Sequence, residues 1–379
     1  MKPNVILFDN DPEEVRDFID ALQKTTGEPW QPLFRKANGV RDTLFKKLSR
    51  YAAYFSFPFL IFRNRNQYDK IFCWQQFYGL LFAFYCRVFF VKKRNPVFVK
   101  NFIYKPKKGW VGRIYFRFMK FILDGDYVDI YSFSGSRPLD YCKKTFPETQ
   151  GQFLYLPFGV NDFSKTTMRD DAPGQDFILA IGRSNRDWEF LIDALAGTHY
   201  PVKILCDEWK PVAGRSTDTG NGATSATNGA TSATNGAAGA TNRSLPSHIE
   251  VRTDIAGDDS HVWFRNAKCL VIPIKDMDND GGQTVLIKGL QFGKPVVVTG
   301  PSALSEEYIE DGINGVVVEK TRESLLSALD RIYGDDAFYE TISRNARTLY
   351  EQEYSVETYG TRWGQVINAW KSQEEGARG

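Results

Sequence analysis

The chain lacks cysteine pairs, histidine clusters and any hydrophobic run of membrane-spanning length. Its five cysteines, Cys73, Cys86, Cys142, Cys206 and Cys269, are scattered, odd in number and form no Cys-x-x-Cys motif. That argues against a disulfide scaffold and for a reducing compartment. The three histidines, His199, His248 and His261, lie far apart, so no zinc site is expected. The richest apolar stretch, YGLLFAFYCRVFFV, is broken by Arg87 and followed by Lys-Lys-Arg. It falls short of the roughly 20 apolar residues that span a bilayer. The opening, MKPNVILFDNDPEE, carries acids where a secretory leader needs an apolar core, which predicts a cytoplasmic protein.

Acid is also missing locally. Between Lys70 and Leu123 there are 12 Lys or Arg residues and no Asp or Glu, although the net charge of the whole chain is only +2. Aromatics interleave with the bases, as in RVFFVKKRNPVFVKNFIYKPKKGWVGRIYFRFMKFI. Solvated basic faces are the plain alternative. Cations beside Trp, Tyr and Phe suit anionic lipid headgroups, so residues 87–120 are expected to meet an anionic membrane surface. Single-stranded nucleic acid has a similar footprint and is the rival, but not the expected partner.

What is present is a repeated alternation of strand and helix. With 379 residues and 42% apolar content, two domains of ordinary size are expected. NVILF, YDKIFCW, PVFVKNFIY, YVDIYSFS and GQFLYLPFG read as strands separated by helical segments, as in DPEEVRDFIDALQ and WVGRIYFRFMKFIL. After the polar stretch 164–176, read as a linker, the alternation restarts with FILAIG, VKILCD, IEVRT, KCLVIPI, PVVVTG and GVVVE. The expected fold class is α/β, with two mostly parallel, Rossmann-like domains facing a cleft. The first covers 1–163 and the second 177–353, with a helix over 354–379 that crosses back to the first. Residues 214–244 repeat NGATSAT and contain nothing large and apolar, so they read as a flexible surface insertion.

Two segments carry chemistry. DMDNDGGQTVLIKGLQFGKPVVVTG begins like a calcium loop, but the twelfth position is Ile287 and the preceding KCLVIPI is a strand, so the calcium reading fails. The same residues read as a turn at Gly281 and Gly282 and a helix opening at Gln283 and Thr284. Its unpaired amides and positive dipole end suit a phosphate, although an ordinary capped helix would look the same. In IGRSNRDWEFL a strand ends at Gly182, which places Arg183 and Arg186 at its carboxyl end, where α/β sheets bind ligands. Two arginines there suit a diphosphate; surface pairing with Asp187 or Glu189 is the alternative.

Taken together, GRSNRDWEFLIDAL, LPFGVN, KCLVIPI, GGQTVLIKGLQFGKPVVVTG and EYIEDGINGVVVE resemble the nucleotide-sugar-dependent glycosyltransferases of GT-B fold, in particular their large retaining group of bacterial polysaccharide and glycolipid enzymes. The likeness is good from Val160 to Glu319 and looser before that. It implies transfer of a sugar from a UDP or GDP donor to a glycan or lipid-linked glycan, at the cytoplasmic face of the membrane and with retention. It implies that Asp280 touches donor-sugar hydroxyls and that the amides of Gln283 and Thr284 hold the distal phosphate. Arg183 and Arg186 would neutralise the diphosphate without a metal or other cofactor. The family's second acid falls on Lys288, an ammonium that can only donate. Asp276 and Asp278 are expected to be merely solvated. Trp74, Gln75 and Gln76, just after a strand, and Lys105, in a basic aromatic loop, are expected on the acceptor side; a buried Trp with two surface glutamines is the alternative. A catalytically silent relative that binds glycan, or a nucleotide-sugar epimerase, stays open as an alternative.

Overall fold

The computed structural model describes residues 2–9, 15–35, 44–166, 174–207, 245–253, 260–277 and 281–378. The insertion expected at 214–244 lies outside them, as do residues 167–173 of the expected linker. Two six-stranded sheets follow one another along the chain. The first contains β1 (Asn4–Phe8), β2 (Trp30–Phe34), β3 (Ile71–Cys73), β4 (Val97–Val99), β5 (Ile130–Phe133) and β6 (Gln152–Tyr155), in the spatial order 2-1-3-4-5-6. The second contains β7 (Phe177–Ile181), β8 (Val202–Leu205), β9 (Ile249–Arg252), β10 (Ala267–Ile272), β11 (Val296–Thr299) and β12 (Val316–Val318), in the order 12-11-10-7-8-9. Every pairing is parallel. Continuous apolar triplets and quartets such as Val97–Val99 and Val296–Val298 are buried, as expected of strands covered by helices on both faces.

Helices α1 (Arg16–Thr26), α2 (Leu44–Arg63), α3 (Gln76–Val88), α4 (Gly109–Leu123) and α5 (Ser136–Thr145) wrap the first sheet. The second carries α6 (Trp188–Leu195), α7 (His261–Asn266), α8 (Gln283–Gln291), α9 (Ala303–Tyr308), α10 (Arg322–Gly334) and α11 (Asp336–Leu349). A π turn at Tyr350–Tyr354 then leads into α12 (Val356–Arg378). The core of the first domain has two layers. Side chains from α2 to α5 fill one face of the sheet, and Phe18 of α1 with Tyr359, Trp363 and Ile367 of α12 fill the other. The last helix of the chain therefore belongs to the core of the first domain. Its Trp363 ring meets Phe72 edge-on at 4.8 Å. Gly360 and Gly364 let α12 approach α1, since a β-carbon at Gly360 would stand 2.5 Å from the carbonyl oxygen of Phe18.

β2 and α2 are absent from the pattern reading, for physical reasons. β2 is an edge strand with Pro32 inside it and with Gln31 and Pro32 exposed, so it has no alternation to recognise. α2 carries Pro58 in its interior, and its apolar residues surround it instead of forming one stripe. Among the described residues no helix is long and apolar enough to cross a membrane.

In each sheet the strand order reverses once, between β1 and β3 and between β7 and β10. Such reversals open a crevice at the carboxyl ends of the strands, and these crevices are the places where doubly wound sheets take ligands.

Candidate functional site

At the reversal in the second sheet, β7 ends at Ile181 and the chain turns through Gly182, whose φ is +156°. A β-carbon there would lie 2.6 Å from Nε of Arg186. Glycine is needed so that the guanidinium can lie beneath the turn. Gly282 faces it from the other side with φ +130°, and a β-carbon there would lie 3.2 Å from Nη1 of the same arginine. Arg186 is thus held between two glycine turns and is buried. Its Nε donates to the Ile181 carbonyl at 3.1 Å, and its Nη1 donates to the carbonyls of Ser184 at 3.1 Å and Gly281 at 3.3 Å. No carboxylate pairs with it among the described residues. Burial pushes the guanidinium down to about 10, which still leaves it charged at neutral pH.

Gly282 also occupies the N-cap of α8, with no side-chain cap and no acid in the first turn. The amides that open the helix at Gln283 and Thr284 and the positive end of its dipole therefore face the space above Arg186. Gly182, Arg183, Arg186, Gly281, Gly282, Gln283, Thr284 and Lys288 all line one cavity of ≈ 520 Å³. Arg183 is exposed there and pairs with Asp207 at 3.1 Å. The ammonium of Lys288 lies 2.9 Å from Nε2 of the buried His261, and the Phe163 ring stacks on that imidazole at 4.1 Å. Asp278 and Asp280 lie outside the described residues. Among the described residues no group of His, Cys, Asp or Glu side chains is placed to hold a metal.

A second cavity, of ≈ 820 Å³, shares Ser184, Gly281 and Gln283 with the first. Its remaining walls are Asn101–Pro106 after β4, the segment Ser134–Tyr141 around the start of α5, and Asp276. Lys105 lines it. Gln76 supports it from behind, because its Oε1 accepts the Ile103 amide at 2.9 Å. Gln75 instead donates to Asp9 at 3.1 Å, and Trp74 packs edge-on against Phe18 with the Lys100 ammonium 3.2 Å from its ring centre. Neither Trp74 nor Gln75 belongs to the walls of the two cavities. Asp276, expected to be merely solvated, is exposed but forms part of the second cavity; its amide is held by Asn185 at 2.8 Å.

The two domains are latched beside this cavity. Arg137 pairs with Glu306 at 2.7 Å and donates to the Met277 carbonyl at 3.1 Å, the Ser136 amide donates to Glu307 at 2.6 Å, and the Tyr308 hydroxyl donates to the Ser134 carbonyl at 3.2 Å. Ser134, Arg137 and Tyr141 escaped the sequence reading. The signal was available, since SFSGSRP ends a strand and opens a helix with a base near its start, as IGRSNRD does.

Residues 201–335 match the model of the family "Glycosyl transferases group 1". No curated protein matches by sequence. Solved structures match over nearly the whole chain at low identity. A sucrose-phosphate synthase from Thermosynechococcus elongatus is 17% identical with TM-score 0.63, over 98% of this chain and 100% of that one. The Anabaena protein HepE in complex with UDP and glucose is 12% identical with TM-score 0.59, over 97% and 100%. A UDP-forming trehalose-phosphate synthase from Burkholderia vietnamiensis has the same identity, TM-score and coverage. The fold is therefore GT-B, and the group 1 segment within it supports a glycosyltransferase.

Proposed function

We propose that this chain transfers a sugar from a UDP- or GDP-sugar to a glycan or lipid-linked glycan at the cytoplasmic face of a membrane, with retention of configuration. The observation that carries the donor assignment is Arg186, a buried cation without a carboxylate partner among the described residues, beneath the uncapped start of α8. A diphosphate seated there meets the amides of Gln283 and Thr284 and the charges of Arg186 and Arg183. Negative charge grows on the diphosphate as the glycosidic bond breaks, so these groups stabilise the transition state more than the ground state. Asp280 holds the donor sugar's hydroxyls, and Lys288, fixed by His261, donates where the resembled family accepts. The neighbour solved with UDP and glucose supports a uridine donor.

The membrane assignment rests on where apolar surface is exposed. Among the described residues, fifteen of the sixteen large exposed apolar side chains belong to the first domain, and Ile313 alone belongs to the second. Phe55, Phe59 and Leu60 of α2 are exposed on a helix that packs into the same core layer as α4, and α4 exposes Trp110, Val111, Ile114 and Phe121 among the bases of the acid-free stretch. Phe90 is 91% exposed. It closes α3 in a Schellman turn, with its amide bonded to Arg87 at 3.2 Å and that of Val91 to Cys86 at 3.1 Å. Its φ is +48° at a position that favours glycine, where a β-carbon costs about 1–2 kcal/mol. An exposed phenylalanine kept at that cost, next to Phe89, Lys92 and Arg94, suits insertion among lipid headgroups.

The Lys288–His261 pair favours one second reading, a silent relative that binds glycan without turning over a donor. Incubating the protein with UDP-glucose, GDP-mannose and related donors, with and without acceptor glycans, separates the readings. Nucleoside diphosphate released together with a glycosylated acceptor supports the transferase. Nucleotide binding without release supports the silent relative, and an isomerised donor formed without acceptor supports an epimerase.

A further inference from the structure

We propose that Tyr141 is the platform on which the acceptor presents a sugar ring, and that the second cavity is the acceptor site. This rests on the glycosyltransferase reading and names the acceptor group at its cleft. The two cavities share Ser184, Gly281 and Gln283, so a group leaving the first emerges directly into the second. A row of nearly parallel rings runs into one wall of the second, which Tyr104 and Tyr141 line. Tyr115 and Tyr104 stack at 5.4 Å and 13°, and Tyr104 and Tyr141 at 6.3 Å and 14°. Tyr104 is buried and meets Phe146 edge-on at 4.9 Å, which fixes the orientation of the row. Tyr141, at the open end, is 45% exposed and lines the cavity.

A pyranose ring has a face of C–H bonds and a rim of hydroxyls. The C–H face matches an exposed aromatic ring, whose π-cloud is negative where the hydrogens are weakly positive. The rim requires donors and acceptors at the edges of the same pocket. Asn101, whose carbonyl oxygen takes the Ser134 hydroxyl at 2.9 Å, offers amide N–H groups with no acceptor among the described residues. The ammonium of Lys105 is another donor in the wall, and the carboxylate of Asp276 is an acceptor. A free phosphate or a bare alkyl chain would leave the ring or the polar groups unused.

The test uses the full chain saturated with UDP or GDP, and methyl glucoside, galactoside, mannoside and N-acetylglucosaminide as probes in saturation-transfer NMR. Wild type should transfer magnetisation to the ring C–H protons of at least one glycoside. Tyr141→Ala should weaken that glycoside about tenfold, the size of one aromatic stacking contact, while Tyr141→Phe retains it and nucleotide affinity stays unchanged in both. Unaltered glycoside binding in Tyr141→Ala overturns the proposal, and so does the absence of binding by any glycoside to wild type. Loss of nucleotide affinity in Tyr141→Ala overturns it too, because the ring would then be stacking on a base. If neither nucleotide binds wild type, the donor reading itself fails and takes this one with it.

Discussion

Arg186 and Arg183 sit three residues apart and do different work. Arg186 donates to four backbone carbonyls from two loops that are far apart in sequence, so it holds those loops together as well as placing a charge beneath them. Arg183 is exposed and tied only to Asp207. Arg186→Ala should therefore weaken nucleotide binding more than tenfold and also lower the melting temperature, since hydrogen bonds from charged groups are worth about 1.5–3 kcal/mol. Arg183→Ala should weaken binding while leaving the melting temperature in place. Calorimetric titration beside a thermal melt reads both, and equal melting losses would contradict the division of roles. The position of both arginines was legible from the strand-end rule. The locking of Arg186 was not, because its partner Gly281 is reached only through the fold.

Lys100 is a further residue that the sequence did not mark. Its ammonium lies over Trp74 at 3.2 Å and 5.6 Å from the Tyr359 ring centre, and burial pushes it down to about 7, with Asp9 opposing. In the unfolded chain the same group titrates near 10.5. Between those values the unfolded state holds the proton more firmly, so this group's contribution to stability rises with pH from about 7 to 10.5 and is lost as pH falls through 7. Lys100→Met should flatten that slope and raise stability most below pH 7. Urea melts at pH 6, 7.5 and 9 check it, and a slope that survives the substitution would contradict it.

At the scale of elements, the parallel-sheet strands of the second domain were readable because they are buried on both sides and written as unbroken apolar runs. The edge strand β2 and the helix α2 were not, since Pro32 and Pro58 and a ring of apolar residues hide their periods. The contact between α1 and α12 has a sequence mark in hindsight, Gly360-x-x-x-Gly364, whose function depends on a helix more than 300 residues earlier. Gly360→Leu should force the helices apart and cost about 1–3 kcal/mol, the usual range for overpacking. A melting temperature equal to wild type would show that α12 does not close the core of the first domain as described.

The whole molecule is two sheets with a shared cleft, latched by α5 and α9 and closed by a helix that returns to the first domain. The expected two-domain architecture was legible because alternation of strand and helix admits few topologies. The second cavity was not, since it exists only once the domains face each other. Surface asymmetry makes a prediction at this scale. Reversing charge at Lys105, Lys107 and Lys108 together should release the protein from anionic vesicles, and Phe90→Ser should do so with the charge intact. Co-sedimentation measures both, and unchanged binding would count against the membrane-facing layer.

The glycine-clamped Arg186 and the start of α8 together make the proposed nucleoside diphosphate site. The most direct measurement is a thermal-shift titration of the full chain with UDP, GDP and CMP and their sugar conjugates. One diphosphate should raise stability by about 2.7 kcal/mol at a hundredfold excess over its dissociation constant, and Arg186→Ala should at least halve the shift at the same nucleotide concentration. No shift with any nucleotide, or a shift that Arg186→Ala leaves intact, would contradict the account.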